Sequence, residues 1–389
     1  MDLSKSFWIQ NCRQGHNGMC IVVSILGILI GCTLVSWAAF GPTKDHHSLR
    51  QVAIIFRHGD RTPTETYAND PYLNYPWEDG WGSLTKKGML ELYNLGTWLR
   101  REYNSLIGRK FKSSEVQIKS SYADRCIMSA QTLLAGLFPP SEEDLFIDNI
   151  LWRPVPVHSI PRDLDKLITV KFHCPKLDYA LKEAYINESM RSDKQLASYY
   201  AELSYYAGQK IATITDVEFL YNTLEIEDNN NLKLPEWTRQ FYNETMREIA
   251  AKSLAIFTSN KLQRRLRGGP LLKEITNNMM RARNGQDKKK LYLYSAHDVT
   301  IVNVLRAMGF TNQLLKPEYG AALIFELVVA KDTKQNPELD VKVKYLNNTQ
   351  IDMPITLEIP GCKNPCKLLD LLTTWNDILP TNWEAECST

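Results

Sequence analysis

Hydrophobic and polar residues are spaced in more than one way along this chain, and the spacing divides it into elements. From Cys20 to Phe40 (CIVVSILGILIGCTLVSWAAF) no charge interrupts the apolar run, which has about the ~20 residues a helix needs to cross a bilayer. It stands apart from the fold that follows. A short apolar run of β-formers, Ala53 to Phe56, predicts a central strand buried on both faces of a sheet. After a loop rich in Pro, Asn, Tyr and Trp, Asn69 to Ser83, the residues Leu84, Gly88, Leu92, Leu95 and Leu99 recur at helical spacing, with Lys86, Lys87, Arg100 and Arg101 off that face. VQIKSS then reads as a strand and DRCIMSAQTLLAGLF as the helix after it. Between about 139 and 290 the pattern changes to polar-aromatic stretches of helical period, such as KQLASYYAELSYYAG, which predict an inserted helical cap. Strand character returns at Leu291 to Ser295, and Val299 to Met308 predicts a helix closed by Gly309.

Composition narrows the class. The chain has 389 residues, 44% hydrophobic and 23% charged, enough to bury the core of one large or two moderate domains. A formal net charge of +2 gives no general attraction to nucleic acid, and the runs Asp287-Lys288-Lys289-Lys290 and Arg264-Arg265 read as solvated surface. The N-terminal apolar run is longer than the roughly 7 to 15 residues of a secretory signal core, which favours an uncleaved signal-anchor; Ala38, Ala39 and Gly41 keep cleavage open as the alternative. On either reading the rest of the chain, beyond a polar stalk with His46 and His47, enters the secretory pathway. It is then membrane-anchored with a lumenal or extracellular catalytic domain, or secreted or lysosomal after cleavage. Three glycosylation sequons, at Asn187, Asn243 and Asn347, fit that destination. Of the eight cysteines, Cys12, Cys20 and Cys32 lie in or before the apolar segment, leaving Cys126, Cys174, Cys362, Cys366 and Cys387. Two bridges and one free thiol is the simplest account. Cys362 and Cys366 also suggest metal ligands by their spacing, but no His/Cys pair completes a zinc pattern, so neither metal nor cofactor is expected.

The chemistry-bearing residues sit where strands end. AIIFRHGDRTP runs from apolar strand directly into Arg57, His58, Asp60 and Arg61; Arg125 opens the helix after the second strand; His297 and Asp298 follow the strand at 291. Taken alone, Asp298 suits a helix N-cap, and Cys126 a small buried apolar residue. Parallel strands, however, deliver their carboxyl ends to one edge of a sheet. Arg57, His58, Arg61, Arg125, His297 and Asp298 then form one set, with guanidinium forks for phosphate oxygens and groups able to act as nucleophile and proton donor. Arginines around His58 keep its ring neutral by like-charge repulsion, which an attacking nitrogen requires.

RHGDRTP, with YSAHD far downstream, resembles the signature of the histidine acid phosphatase family, and the likeness continues through LTKKGM, DRCIMSAQTLLAGLFPP, LWRPVPVHSIP, GGPLLKEI and KPEYGAALIFEL. It is greatest to the prostatic and lysosomal branches and their secreted insect relatives. The resemblance implies an α/β fold, phosphoglycerate-mutase-like, with a mixed, mainly parallel central sheet flanked by helices and a cap inserted at about 139–290 in a domain spanning 51–389. It implies that His58 becomes a phosphohistidine, that Arg57, Arg61, Arg125 and His297 bind the phosphate of a monoester, and that Asp298 donates a proton to the leaving group. It also implies bridges Cys174 to Cys387 and Cys362 to Cys366, no metal, and a homodimer with Trp152 and His158 near its interface. One rival is a phytase or inositol-phosphate phosphatase, whose polyanionic substrate calls for extra cap cations; the cap offers none obvious beyond Arg264 to Arg267. Another is a catalytically inert, membrane-tethered binding protein, against which all six site residues count.

Overall fold

Side-chain alternation along the first strand, β1 (Leu49–Arg57), explains its unbroken apolar run. In the computed structural model, which describes residues 49–191, 194–331, 338–350 and 353–388, everything from Gln51 to Arg57 in this strand is buried. Val52, Ile54 and Phe56 pack against α1 (Lys86–Glu102) and α2 (Asp124–Leu137) through Leu92, Leu95, Leu99, Leu133 and Leu137. Ala53 and Ile55 face the opposite layer, where the helices Gly269–Arg283 and Asp298–Ala307 contribute Leu271, Leu272, Ile275, Ile301 and Val304. A strand covered on both faces has no side for polar residues. The apolar segment from Cys20, the three N-terminal cysteines and the stalk histidines lie outside the described residues.

The remaining strands are β2 (Val116–Ser120), β3 (His158–Ser159), β4 (Leu291–Ala296), β5 (Ala322–Lys331), β6 (Glu338–Leu346) and β7 (Ile355–Leu357), in the order β3-β2-β4-β1-β5-β6-β7. β3, β2, β4 and β1 are mutually parallel, and β5, β6 and β7 extend the sheet antiparallel from β1. The fold is therefore α/β with a mixed sheet whose parallel half carries the strand ends singled out above.

Further helices are α3 (Pro175–Arg191), α4 (Lys194–Ala207), α5 (Ile214–Asn229), α6 (Glu244–Ala255), α7 (Lys261–Arg267), α8 (Gly269–Arg283) and α9 (Asp298–Ala307). α4, α5 and α6 share a separate hydrophobic cluster with Tyr67, including Leu203, Val217, Leu224, Phe241 and Met246. Helix α8, within the stretch expected as cap, lies instead against the sheet, since Leu271, Leu272, Ile275 and Met279 join the core that contains Tyr292 and Tyr294. Cys174 is bonded to Cys387 and Cys362 to Cys366, while Cys126 is free and buried. The first bridge lies in a small apolar cluster with Val170, Leu177, Leu266 and Trp383, tying the start of α3 to the C-terminal helix Trp383–Cys387.

Two carboxyls join the loop after β1 to α5. Glu227 is 1% exposed and its oxygens have no hydrogen-bond donor among the described residues, while Asp70 accepts from Tyr72 N–H at 2.6 Å and from Thr66. Burial, then the neighbouring Asp70, pushes Glu227 up to about 8. A carboxyl held above its unfolded value of 4.5 favours the folded state fully below that value and progressively less as pH rises toward 8. Each unit of such a shift is worth roughly 1.4 kcal/mol. The thermal midpoint should therefore fall from pH 5 to pH 8, and Glu227→Gln should flatten that fall; a parallel decline in both proteins would assign it to other groups.

Candidate active site

Register brings the strand ends together. Arg57 lies across from Ala296, and Phe56 and Ser120 both lie across from Ser295, so β1, β4 and β2 finish at the same level. His58 N–H donates to Ala296 O at 3.1 Å, and His297, the next residue after β4, has Nε2 2.9 Å from Ser121 Oγ just beyond β2. The His58 and His297 rings meet edge to face with centroids 5.5 Å apart. Arg125, in the first turn of α2, is half-buried beside them, and its charge acts on both rings.

The loop after β1 is set by close backbone packing. A Cβ on Gly59 would lie 2.3 Å from Gly88 O, and one on Gly88 would lie 2.2 Å from Asp60 O, so these glycines let α1 approach the loop. Gly59 N–H donates to Ser129 Oγ at 3.1 Å, Asp60 N–H to Glu91 Oε2 at 2.8 Å, and Thr85 Oγ1 to Asp60 Oδ2 at 2.7 Å. These bonds hold His58 at 3% exposure.

His58 Nδ1 is 2.8 Å from Gly59 O. A carbonyl only accepts, so the neutral ring carries its hydrogen on Nδ1 and its lone pair on Nε2. Burial, and then Arg125, Arg57, His297 and Arg61, lower the proton affinity of His58 well below the usual histidine range. The neutral ring is therefore favoured over the charged one further into acid than for a free imidazole. His297 is likewise lowered to about 3, by burial and then Arg125.

Arg57 is 1% exposed and closely held: Nη1 donates to Pro317 O at 2.7 Å, Nη2 lies 3.0 Å from Asp298 Oδ2, and the guanidinium carbon sits 4.0 Å from the Tyr319 ring centroid. Arg61 Nη1 donates to Thr62 O at 2.9 Å. The Nε groups of Arg57, Arg61 and Arg125 are buried without an acceptor among the described residues. Unpaired guanidinium donors around one neutral ring make a site for an anion.

Asp298 is the first residue of α9, and His297 occupies the cap position, so the N-cap reading of Asp298 is corrected. Its Oδ1 accepts the Val299 N–H at 2.7 Å and its Oδ2 faces Arg57. Burial alone would raise its proton affinity, but Arg57 and Lys316, with the Val299 N–H, bring it down to about 2. Cys126 does more than fill space, since Sγ donates toward Ala296 O at 3.5 Å and lies 3.6 Å from His297 Nε2; burial pushes its thiol up to about 12, far from a reactive thiolate.

Sequence reasoning missed Ser121, Tyr319, Lys316 and the face of α5 formed by Glu218, Tyr221 and Glu225. Lys316 Nζ is 2.6 Å from Glu225 Oε2, and burial, then the Asp298 charge, pushes Glu218 up to about 7. The i, i+3, i+7 spacing was legible as one helical face, but nothing local told which face turns toward the strand ends. Outside this site, Asn187 and Asn243 are exposed and Asn347 half-buried; His158, in the edge strand β3, and Trp152, in the segment that leads into it, are exposed.

The pattern of the histidine phosphatase superfamily (branch 2) matches residues 48–346. The chain is 34% identical over 374 residues to the human lysosomal acid phosphatase, covering 94% of this chain and 85% of that one. To the human prostatic acid phosphatase it is 34% identical over 349 residues, covering 88% of each. Among solved structures, a phytase from Hafnia alvei in complex with tartrate superposes with a TM-score of 0.63 at 16% identity, covering 88% of this chain and 98% of that one. The phytase from Citrobacter braakii gives 0.61 at 17%, covering 88% and 100%. At such identities the structural likeness speaks for the fold alone.

Proposed function

The chain belongs to the histidine phosphatase superfamily (branch 2) and is a phosphoric monoester hydrolase of the acid phosphatase kind, and from that premise we propose how its site works. His58 Nε2 attacks phosphorus in line with the leaving oxygen, forming a nitrogen-phosphorus bond as the ester bond breaks. Arg57, Arg61, Arg125 and His297 hold the phosphoryl oxygens. Asp298 gives its proton to the departing oxygen, and in the second half takes one from the water that releases phosphate. Asp298 is ionised in the free protein, so it gains that proton only when substrate arrives. The bound phosphate draws on the charge of Arg57 and adds negative charge beside the carboxylate, and a monoester monoanion brings a proton with it in acid. An acid optimum follows from this.

The observation that carries the reading is the Nδ1 contact with Gly59 O, which leaves a neutral Nε2 among three guanidiniums. The test is the chemistry of the label trapped when turnover of a radiolabelled monoester is quenched. A phosphoramidate gives label lost in acid and kept in base; acid-stable label would point to a serine or threonine ester and against His58. The phytase reading has the likeness of fold behind it, at 16–17% identity, whereas the relatives at 34% identity are acid phosphatases, which favours the simple monoester.

The relatives' names support passage through the secretory pathway. Within it we propose a membrane tether at Cys20–Phe40, and a homodimer formed through the segment that precedes β3, where Phe146, Leu151 and Trp152 are 64%, 75% and 43% exposed and the Phe146 and Trp152 rings meet edge to face. Extraction by carbonate would rule out the tether, and a monomer in sedimentation at micromolar concentration would rule out the dimer.

A further inference from the structure

The loop 316–320 reaches the centre of the site by several routes. Pro317 O accepts from Arg57 Nη1, the Tyr319 ring lies against the same guanidinium, and Gly320 N–H donates to His58 O at 3.3 Å. The loop is held in turn by a charge pair removed from water. Lys316 is 3% exposed, with Nζ 2.6 Å from Glu225 Oε2 and 4.8 Å from the Tyr221 ring centroid, so both its partners lie on α5. A second pair, Arg247 Nη2 to Glu318 Oε1 at 3.4 Å, joins the loop to α6 but is far more exposed. Burying an ammonium and a carboxylate together adds little to stability, because the loss of hydration offsets their attraction. What such a pair does supply is a defined geometry, since displacing either partner leaves an uncompensated buried charge.

We infer that Lys316 and Glu225 are positioning residues for phosphate binding: their ion pair sets the 316–320 loop against α5, and through Pro317 O and the Tyr319 ring it orients the guanidinium of Arg57. The inference rests on the proposed role of Arg57 in holding phosphate. Arg57 itself is charged at every working pH, so its contribution depends on where its fork points. Pro317 O and Asp298 Oδ2 each occupy one of its two terminal nitrogens, and only the first is carried by a loop, the second by the first residue of α9. Lys316 also acts on the carboxyls around it. The charged and titratable groups facing it are Glu225, Glu218 and Tyr221 from α5 and Asp298 from α9, with Arg57, Glu318 and Tyr319 beyond.

The double variant Lys316→Met/Glu225→Met removes both charges and leaves no unpaired ion, and inhibition by inorganic phosphate measures the oriented arginine directly. The expected result is a folded protein, judged by its thermal midpoint and near-ultraviolet dichroism, with phosphate inhibition weakened about tenfold to a hundredfold, the range a small misplacement of a binding group produces. KM for p-nitrophenyl phosphate should rise with it. The acid limb of the pH profile should move to higher pH, because Asp298 loses a nearby cation. Glu225→Gln, which keeps the shape and an acceptor for Lys316, is the second variant, should the double one not fold; Glu225→Asp, which keeps the charge, should recover most of the affinity. Wild-type phosphate inhibition, in the folded double variant or in Glu225→Gln, would overturn the inference, as would an unmoved acid limb in the double variant, the one of the two that removes the Lys316 cation. Failure of the underlying reading looks different, because a wild-type protein that does not bind phosphate would sink the site before either variant is made.

Discussion

His58→Ala should lower turnover of phosphate monoesters by about 10⁴-fold or more, the scale on which removing a nucleophile acts when no neighbour replaces it. No other side chain in the cluster presents an unprotonated nitrogen in the same way: His297 Nε2 is engaged by Ser121 Oγ at 2.9 Å, and the Cys126 thiol is protonated at any working pH. The variant should still bind inorganic phosphate, because Arg57, Arg61 and Arg125 remain, with the backbone anchors of the first two at Pro317 O and Thr62 O. It should also carry no label when quenched during turnover. Loss of phosphate binding along with activity would mean that the site had collapsed, and turnover within tenfold of wild type would remove His58 from the nucleophile role. The same electrostatics give a pH prediction for the wild type. A base whose proton affinity is lowered by burial and nearby guanidiniums stays neutral further into acid than an ordinary histidine, so the nucleophile is not lost where a free imidazole would be. Any acid limb in kcat/KM belongs to another group.

The second large effect concerns Asp298, where two roles separate by leaving group. Asparagine keeps the acceptor for Val299 N–H but loses the charge opposite Arg57 at 3.0 Å and has no proton to give. A role confined to holding Arg57 predicts the same loss for every monoester. A general acid predicts loss of ~10² to 10⁴-fold for alkyl phosphates, whose alkoxide must be protonated, and a much smaller one for p-nitrophenyl phosphate, whose phenolate leaves unaided. Single-turnover phosphorylation is the rate to compare, since slow hydrolysis of the phosphoenzyme would hide the difference in steady state. Equal losses for both substrates would leave Asp298 as a counterion and would direct the search for the acid toward Glu218, which holds its proton up to about pH 7.

Much of this site was legible because its signals are local. Charges that begin where an apolar strand ends can only lie at the end of that strand, and His297-Asp298 between a strand and a helix has the same address. The family likeness assigned chemistry to those addresses. The antiparallel half of the sheet was harder to read: β6 alternates buried and half-exposed positions over Glu338–Leu346, but a strand's direction depends on how the chain returns to it, and that is settled by packing. Helix α8 was assigned to the cap by its place in the chain, yet its apolar face lies on the sheet. An amphipathic pattern says that a face is buried and not what buries it.

By itself, then, the sequence determined β1, β2 and β4 with the helices that follow them, the helical character of the long stretch between, the strand-end addresses of the six site residues, and the uncharged apolar segment Cys20–Phe40. Those properties depend on neighbours in the chain, through backbone preference and the periodicity of side chains. Only the tertiary structure decided that His58 leaves Nε2 free, that Asp298 is held ionised by Arg57 and Lys316, and that the 316–320 loop is tied to α5 by Lys316 and Glu225. Tautomer, proton affinity and fork orientation are set by groups within a few ångströms, and Lys316 and Glu225 are far apart in the chain. The interaction of two charges depends on their separation and their burial, and folding alone supplies both.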